Sequence, residues 1–552
     1  MALIEIRDLK FTYPGQDTPA LMDVCLDVED GEFLLLCGAS GSGKSTLLRQ
    51  LKPAITPFGK KSGLITYDGA PLAQLDERRA AAEIGFVMQD PESQIVTDKV
   101  WHELAFGLEN LGTPSDVIRR RVAEMASFFG IQDWFDRNVS ELSGGQLQML
   151  SLASIMVMQP RVLILDEPTS QLDPIAAADF LETIKRVNRE LSLTVILSEH
   201  RLEEAFPSSD RVGVMEDGRL VCCAPPAEAV RLLGRDGDRH PMFAGFPAAA
   251  RIWAGTGGKG ECPLTVRDGA RWLGQRYAPG APEKPKAKEK MDGEPALRLR
   301  DVYYRYEKEL PDALKGAGFE AYPGAITCLV GGNGAGKSTA LGAAAGICRP
   351  YRGKVELFGK NIKDYGRGEL YGGTVGMLPQ NPQLFFVRDT VREDLEEMAK
   401  ACGAPEKIEE VTELLGLESV LDRHPYDLSG GEQQKAAFAK LLIRAPRIIL
   451  LDEPTKGLDA CFKKTFAAIL GRLKGGGAAV LMATHDVEFA AEYADECLMF
   501  FNGAVVSEGA PGPFFAGNSF YTTAANRIAR RVFPEAVTCG GVIKRCLQNA
   551  EN

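Results

Sequence analysis

Several features that would assign this chain to a simple class are missing from it. No apolar run in its 552 residues approaches the ~20 needed to span a bilayer. Met1–Lys10 has neither the basic start nor the apolar centre of a signal peptide, so a cytosolic chain is expected. The 12 cysteines include no CxxC pair, which argues against a disulfide framework and against a zinc or iron-sulfur site. Cys37 and Cys328 fall in apolar strand-like runs and read as reduced packing residues. Positive charge is also scarce: the net charge is -11, which disfavours a broad interface with a phosphate backbone, and no nucleic-acid partner is expected. What the chain has is length, enough for more than one domain, since single cores stop growing near ~250 to 300 residues.

A short apolar strand runs twice into the pattern GxxxxGKST. The first instance follows FLLLC and comprises Gly38, Ala39, Ser40, Gly41, Ser42, Gly43, Lys44, Ser45 and Thr46. The second follows ITCLV and comprises Gly331, Gly332, Asn333, Gly334, Ala335, Gly336, Lys337, Ser338 and Thr339. Each reads as a phosphate cradle, because the glycines let successive amides face a polyphosphate while the next helix presents its positive end. Lys44 and Lys337 would reach the β- and γ-phosphates, and the hydroxyls of Ser45 and Ser338 would help hold a magnesium ion.

The repetition extends well beyond these loops. The offset between copies is 293 at Lys44 and Lys337, 291 at Gln89 and Gln380, 286 at Ser143 and Ser429, and 285 at His200 and His485. Such spacing indicates a duplicated domain, not a solenoid of ~20- to 50-residue repeats. The reading assigns 1–234 to a first copy, 235–295 to a Gly/Pro-rich connector with a small packed element near 262–273, 294–519 to a second copy, and 520–552 to a helical tail. The end of the connector, PGAPEKPKAKEKMDGEP, reads as an extended, solvated tether.

Within each copy, apolar runs alternate with amphipathic segments, the pattern of a mainly parallel sheet wrapped by helices. The clearest buried strands, RVLILDEP at Arg161–Pro168 and RIILLDEP at Arg447–Pro454, each end in two adjacent carboxylates. Asp166 and Asp452 would hold the magnesium ion through water, and Glu167 and Glu453 would orient or deprotonate the attacking water.

LSGGQ at Leu142–Gln146 and LSGGE at Leu428–Glu432 precede these strands. With them, the sequence resembles the ATP-binding cassette superfamily over nearly all of both copies. The resemblance implies an α/β fold: two P-loop NTPase cassettes, each with a mainly parallel sheet core and a small helical subdomain. It implies an ATPase using ATP and Mg2+, with the cassettes acting as a head-to-tail pair. Ser143, Gly144 and Gly145 would complete the nucleotide site built around Lys337, and Ser429, Gly430 and Gly431 the one around Lys44. A helix-capping serine before a glycine turn is the local alternative for these segments.

The resemblance extends to further positions. Gln89 and Gln380 match the glutamine that touches the metal and senses the membrane partner, and His200 and His485 match the switch histidine at the γ-phosphate. Tyr13 and Tyr306 match the aromatic that stacks on adenine, with Tyr304 a rival in the second copy. Asp173 and Asp459 match the loop that communicates between sites.

The stretch QDPESQIVTDKVWHELAFGLENLG, Gln89–Gly112, is similar to the corresponding segment of ATPase subunits in energy-coupling factor importers, and QNPQLFFVRDTVREDL resembles it more loosely. That similarity implies uptake of a vitamin, vitamin precursor or transition-metal ion. It implies a separate transmembrane subunit and a substrate-capturing subunit, and peripheral attachment at the cytoplasmic face of the membrane. The alternative for Trp101, Leu104, Phe106 and Leu108 is simple packing of the helical subdomain. Fused sugar-importer ATPases and the twin-cassette translation factors that clamp the ribosome are the rival families. The former commonly lose catalytic residues in the second copy, whereas Lys337, Glu453 and His485 are present; the latter carry a long charged helical connector. In the tail, ANRIARRVF reads as a basic helix that either packs on the second copy or lies near an anionic membrane.

Overall fold

The computed structural model describes residues 2–234, 240–279 and 293–551. Two compact units emerge, Met1–Asp268 with Asp459–Cys461, and Gly269–Leu458 with Phe462–Asn552. Each contains a four-stranded and a six-stranded sheet.

In the first unit, strands with alternating burial form the four-stranded antiparallel sheet; Leu21–Glu29 pairs with Ala2–Thr12, which pairs with Lys60–Tyr67. Alternation suits a sheet with one face on the core. Continuously apolar strands form the other sheet. Its order is Arg219–Ala224, Arg211–Glu216, Phe33–Gly38, Thr194–Ser198, Val162–Asp166 and Ile84–Val87, parallel except for the first pair. The runs FLLLCG, TVILS and VLILD are buried at every position, as strands covered on both faces must be. Ser198 pairs with Leu36 on one side and Asp166 on the other, so three strands end along one edge. Ligands of open α/β sheets collect at that carboxyl edge.

Taken from the opposite edge, the second unit repeats this order with Val375–Leu378, Ile448–Asp452, Ala479–Ala483, Ile326–Val330, Glu496–Phe501 and Ala504–Gly509, the last pair antiparallel. Its helical subdomain comprises Val391–Cys402, Lys407–Leu415 and Gly430–Arg444, the counterparts of Val100–Asn110, Ser115–Phe128 and Gly144–Met156.

More of the connector is folded than its glycine and proline content suggests. A helix at Val266–Arg276 occupies the stretch marked as a packed element, with Leu273 fully buried. An earlier helix, Ala248–Gly255, buries Ile252 and Trp253 in the first unit, where Phe246 lies 4.8 Å from Phe206 between ring centroids. Most of the expected tether, 280–292, lies outside the described residues. The tail folds into helices Ala524–Ala529 and Cys539–Glu551, and buried Ile528, Val532 and Phe533 seat it in the second unit. Among the described residues no helix is long and apolar enough to cross a membrane.

Candidate active site

Each GxxxxGKST segment joins a buried strand to a helix, Phe33–Gly38 to Lys44–Gln50 and Ile326–Val330 to Lys337–Ala344. The residue before each helix must be glycine on two counts. Gly43 and Gly336 have φ of 97° and 104°, and a Cβ there would sit 2.6 Å from the Ala20 carbonyl oxygen and 2.7 Å from that of Ala313. Both lysines are buried and fold back onto their own loops. Lys44 Nζ donates to the carbonyls of Gly38 and Ala39 at 3.0 and 3.1 Å, and Lys337 Nζ to those of Gly331 and Gly332 at 2.8 and 3.1 Å. An ammonium whose hydrogen bonds at that place go largely to neutral carbonyls suits a polyanion, which is a stronger acceptor.

The serine after each lysine points at the Asp-Glu strand end. Ser45 Oγ donates to Asp166 at 2.9 Å, and Ser338 Oγ to Asp452 at 3.0 Å. A hydroxyl beside a carboxylate is a hard-oxygen donor set suited to magnesium, so Ser45 with Asp166 and Ser338 with Asp452 would hold that ion. When bound, the ion would neutralise phosphate charge. Burial raises both aspartates above their ordinary range, which suits sites meant to receive a cation.

The glutamates reach the same region by a backbone device. In a flat strand, neighbours point to opposite faces. Here Glu167 and Glu453 adopt left-handed φ of 47° and 49°, rare for residues with a Cβ. Glu167 thereby lies 3.7 Å from Lys44 Nζ and 2.8 Å from His200 Nε2, and accepts from Gln89 Nε2 at 3.1 Å. Burial opposes its ionisation, but His200 and Lys44 outweigh burial and hold it down at about 2. Such a carboxylate stays ionised and can accept a proton-bearing water.

Glu453 has the same motif and a different environment. His485 Nε2 lies 3.1 Å from Lys337 Nζ and 3.3 Å from Glu453. An ammonium has no lone pair, so if the contact is a hydrogen bond the imidazole nitrogen must accept it. It then carries no proton for Glu453, which instead accepts from the His485 backbone N–H at 3.2 Å. Burial pushes Glu453 up to about 7, against the pull of Lys337. Gln380 is exposed at its strand end, and no hydrogen bond joins it to Glu453 among the described residues.

The signature serines cap helices, so the local alternative describes their geometry. Ser143 and Gln146 form a reciprocal capping box at the start of Gly144–Met156, and Ser429 and Glu432 do the same for Gly430–Arg444. The fifth residue of the motif is thus the reciprocal capping partner, a task that Gln and Glu both perform. Ser143, Gly144, Ser429 and Gly430 are exposed, and Gly145 and Gly431 sit one residue deeper.

The tyrosines also correspond. Tyr13 and Tyr306 each place a hydroxyl 3.0 Å from the last threonine of the loop, Thr46 and Thr339. Phe11 meets Tyr13 edge-on at 4.9 Å, and Tyr304 meets Tyr306 at 5.1 Å. Tyr304 therefore occupies the place of Phe11, and Tyr306 that of Tyr13. Asp173 caps Pro174–Leu191, accepting from the N–H groups of Ile175 and Ala176.

Two residues of the first unit escaped the sequence reading. Ser198 donates to Asp166 at 2.9 Å and accepts the Glu167 N–H at 3.0 Å. Glu199, only 2% exposed, accepts from Thr169 and from the N–H groups of His200 and Arg201. The only visible signal was the contrast between ILSEH and MATHD.

The sequence matches the ABC transporter family over residues 21–170 and 314–456. A protein of Bacillus thuringiensis subsp. konkukian, provisionally named an ABC transporter ATP-binding protein, is 41% identical over 549 residues, spanning 99% of this chain and 98% of its own. A similarly named protein of Streptomyces avermitilis is 35% identical over 538 residues, spanning 92% of this chain and 94% of its own. Among solved structures, cbiO1 of Clostridium perfringens, described as part of the ABC transporter complex cbiONQ, is 30% identical. It covers 43% of this chain and 96% of its own, with a TM-score of 0.38.

Proposed function

Since the chain belongs to the ABC transporter family, as an ATPase with two ATP-binding cassettes, we propose that it powers uptake of a vitamin, vitamin precursor or transition-metal ion through separate membrane subunits. The observation that carries this reading is the loop after each glutamine. In the first unit, buried Glu103 accepts from the N–H groups of Val96 and Thr97 at 3.1 and 2.9 Å. In the second, buried Asp394 accepts from Val387 N–H at 3.2 Å and pairs with Lys440 at 2.7 Å. Each loop is thus fixed from below while offering apolar side chains outward: Val96 is 67% exposed and Trp101 42%, and Leu384 and Val387 are 76% and 70% exposed. Leu104 and Leu108 pack inside, as the packing alternative expects, but it does not account for the outward residues.

A groove adjoins the same helices in each unit. The first encloses about 700 Å³ and is lined by Lys52, Glu77, Arg78 and Asn110; the second encloses about 190 Å³ and is lined by Ile347, Tyr371, Met377 and Phe385. Lys440 and Arg444 line the second as well, so both grooves carry basic side chains toward the place where a membrane partner would seat. The ATPase would then sit peripherally at the cytoplasmic face, with cargo chosen by a substrate-capturing subunit. Copurification of the full chain tests this. Detergent-dependent membrane subunits that are lost in a Val96→Asp, Val387→Asp variant are the expected result. Ribosome association abolished by high salt would instead indicate a translation-factor clamp and overturn the importer reading.

A further inference from the structure

The second phosphate loop is gripped by a residue from far along the chain. The hydroxyl oxygen of Tyr521, at the start of the C-terminal tail, accepts the Gly331 N–H at 2.8 Å. The carbonyl of the same glycine accepts from Lys337 Nζ at 2.8 Å. The first residue of the cradle is thus held on its amide side by the tail and on its carbonyl side by its own lysine. A polyphosphate competes for the lysine but not for the tyrosine. The tail is therefore placed to keep the loop in shape while the lysine changes partner.

Tyr521 is itself firmly anchored. Its ring packs on the core of the second unit, and the residues after it form a buried polar knot. Thr522, Thr523 and Asn526 are at most 1% exposed. Thr523 Oγ1 donates to the Val537 carbonyl at 2.6 Å, Asn526 Nδ2 to those of Pro534 and Ala536 at 3.0 and 3.2 Å, and Glu488 accepts the Ala524 N–H at 2.6 Å. Satisfied networks of this kind specify one arrangement. The connector contributes as well, since Tyr277 lies 6.3 Å from Phe533 between ring centroids. Burial, with Glu453 nearby, lifts the Tyr521 phenol to about 12, so it remains neutral. At the offset of 285 that relates the histidines, the position in register with Tyr521 is Asp236, at the start of the connector and outside the described residues.

We propose that Tyr521 is a positioning residue of the second nucleotide site: by holding the Gly331 amide it keeps that phosphate loop preformed, so the C-terminal tail sets ATP affinity there and not at the first site. The proposal rests on the reading of Gly331–Thr339 as a nucleotide cradle.

The test uses Tyr521→Phe, which keeps the ring and removes the acceptor, in the full chain. ATP binding is measured by calorimetry in a Lys44→Ala background, where the second loop alone is intact, and in a Lys337→Ala background, where the first is. The expected result is a rise in Kd of about five-fold in the former and less than about two-fold in the latter. The ATP-induced rise in Tm should shrink, on top of a loss of about 2 to 4 °C without ATP from the Gly331 N–H that loses its acceptor. Equal changes in both backgrounds, or none in either, overturn the proposal. So does a loss of Tm that is the same with and without ATP, since the hydroxyl would then serve stability alone. If Lys44→Ala protein binds no ATP even with Tyr521 intact, the cradle reading fails first, and the role of the tyrosine falls with it.

Discussion

In the first unit Asp166 accepts from two hydroxyls, Ser45 and Ser198, and Glu199 ties the histidine segment to Thr169. In the second, Ala483 and Thr484 stand at the positions of Ser198 and Glu199, Asp452 accepts from Ser338, and the loop is gripped by Tyr521 instead. The support beneath the post-glutamine loop differs too. Glu103 is held by two backbone amides, whereas Asp394 adds Lys440, a buried lysine where the first copy has Ser154. The motifs decide which groups are present; their neighbours decide how those groups are charged and how firmly they stand. Burial opposes ionisation of both glutamates, but His200 and Lys44 outweigh it and hold Glu167 at about 2, whereas burial carries Glu453 up to about 7 against the pull of Lys337.

This contrast can be broken at several points. Replacing both Glu167 and Glu453 by Gln should lower ATP turnover about 10³-fold, the scale of a lost general base, in a steady-state phosphate-release assay. Each single variant should lose a substantial part of the rate, and the two residual rates should differ; equal residues would show that the unequal surroundings do not matter. Lys440→Met leaves the buried Asp394 carboxylate unpaired, so chemical denaturation should show a loss of about 3 kcal/mol. The corresponding change in the first unit, Ser154→Met, removes no charge partner, and its smaller cost should come from overpacking and the lost hydrogen bond to the Ser151 carbonyl.

Smaller effects sharpen the comparison. Ser198→Ala makes the first strand end resemble the second, and should cost about 1 kcal/mol by removing one of the two hydroxyls that donate to Asp166, the Glu167 N–H keeping the Ser198 carbonyl at 3.1 Å; a Tm lowered by about 2 to 4 °C would show it. Its turnover, read in a Glu453→Gln background, should fall toward that of the second site. Glu432→Gln should change Tm by less than about 1 °C, because Gln146 already serves as the reciprocal capping residue in the first unit. A larger loss would mean that the carboxylate does more than cap.

Spacing made much of this legible. Strand, glycine loop and helix are adjacent in sequence, so the cradles and the Asp-Glu strand ends could be read directly from Gly38–Thr46, Gly331–Thr339 and the two LDEP segments. Contacts between distant segments could not. Tyr304 ends a strand and Tyr306 follows two residues later, a spacing at which strand periodicity offers no choice between them; the hydroxyl at Thr339 made it. Ser198 looked like one more residue of a buried strand, and its two hydrogen bonds come from a neighbouring strand end 31 to 32 positions earlier in sequence. Tyr521 is 190 positions from Gly331, and nothing in a local pattern joins them. The helix at Ala248–Gly255 was hidden by the glycines and prolines on either side of it.

The left-handed backbone of Glu167 and Glu453 has a consequence for anyone who would engineer this chain. A side chain in that conformation is held against its own preference, and a carboxylate buried beside it adds a second burden. Glycine or asparagine would relieve both. Selection for heat resistance alone would therefore drift toward those residues at Glu453, which burial lifts to about 7, while Glu167, held at about 2 by His200 and Lys44, resists the same drift; an improving melting curve would record the loss of one carboxylate and the survival of the other.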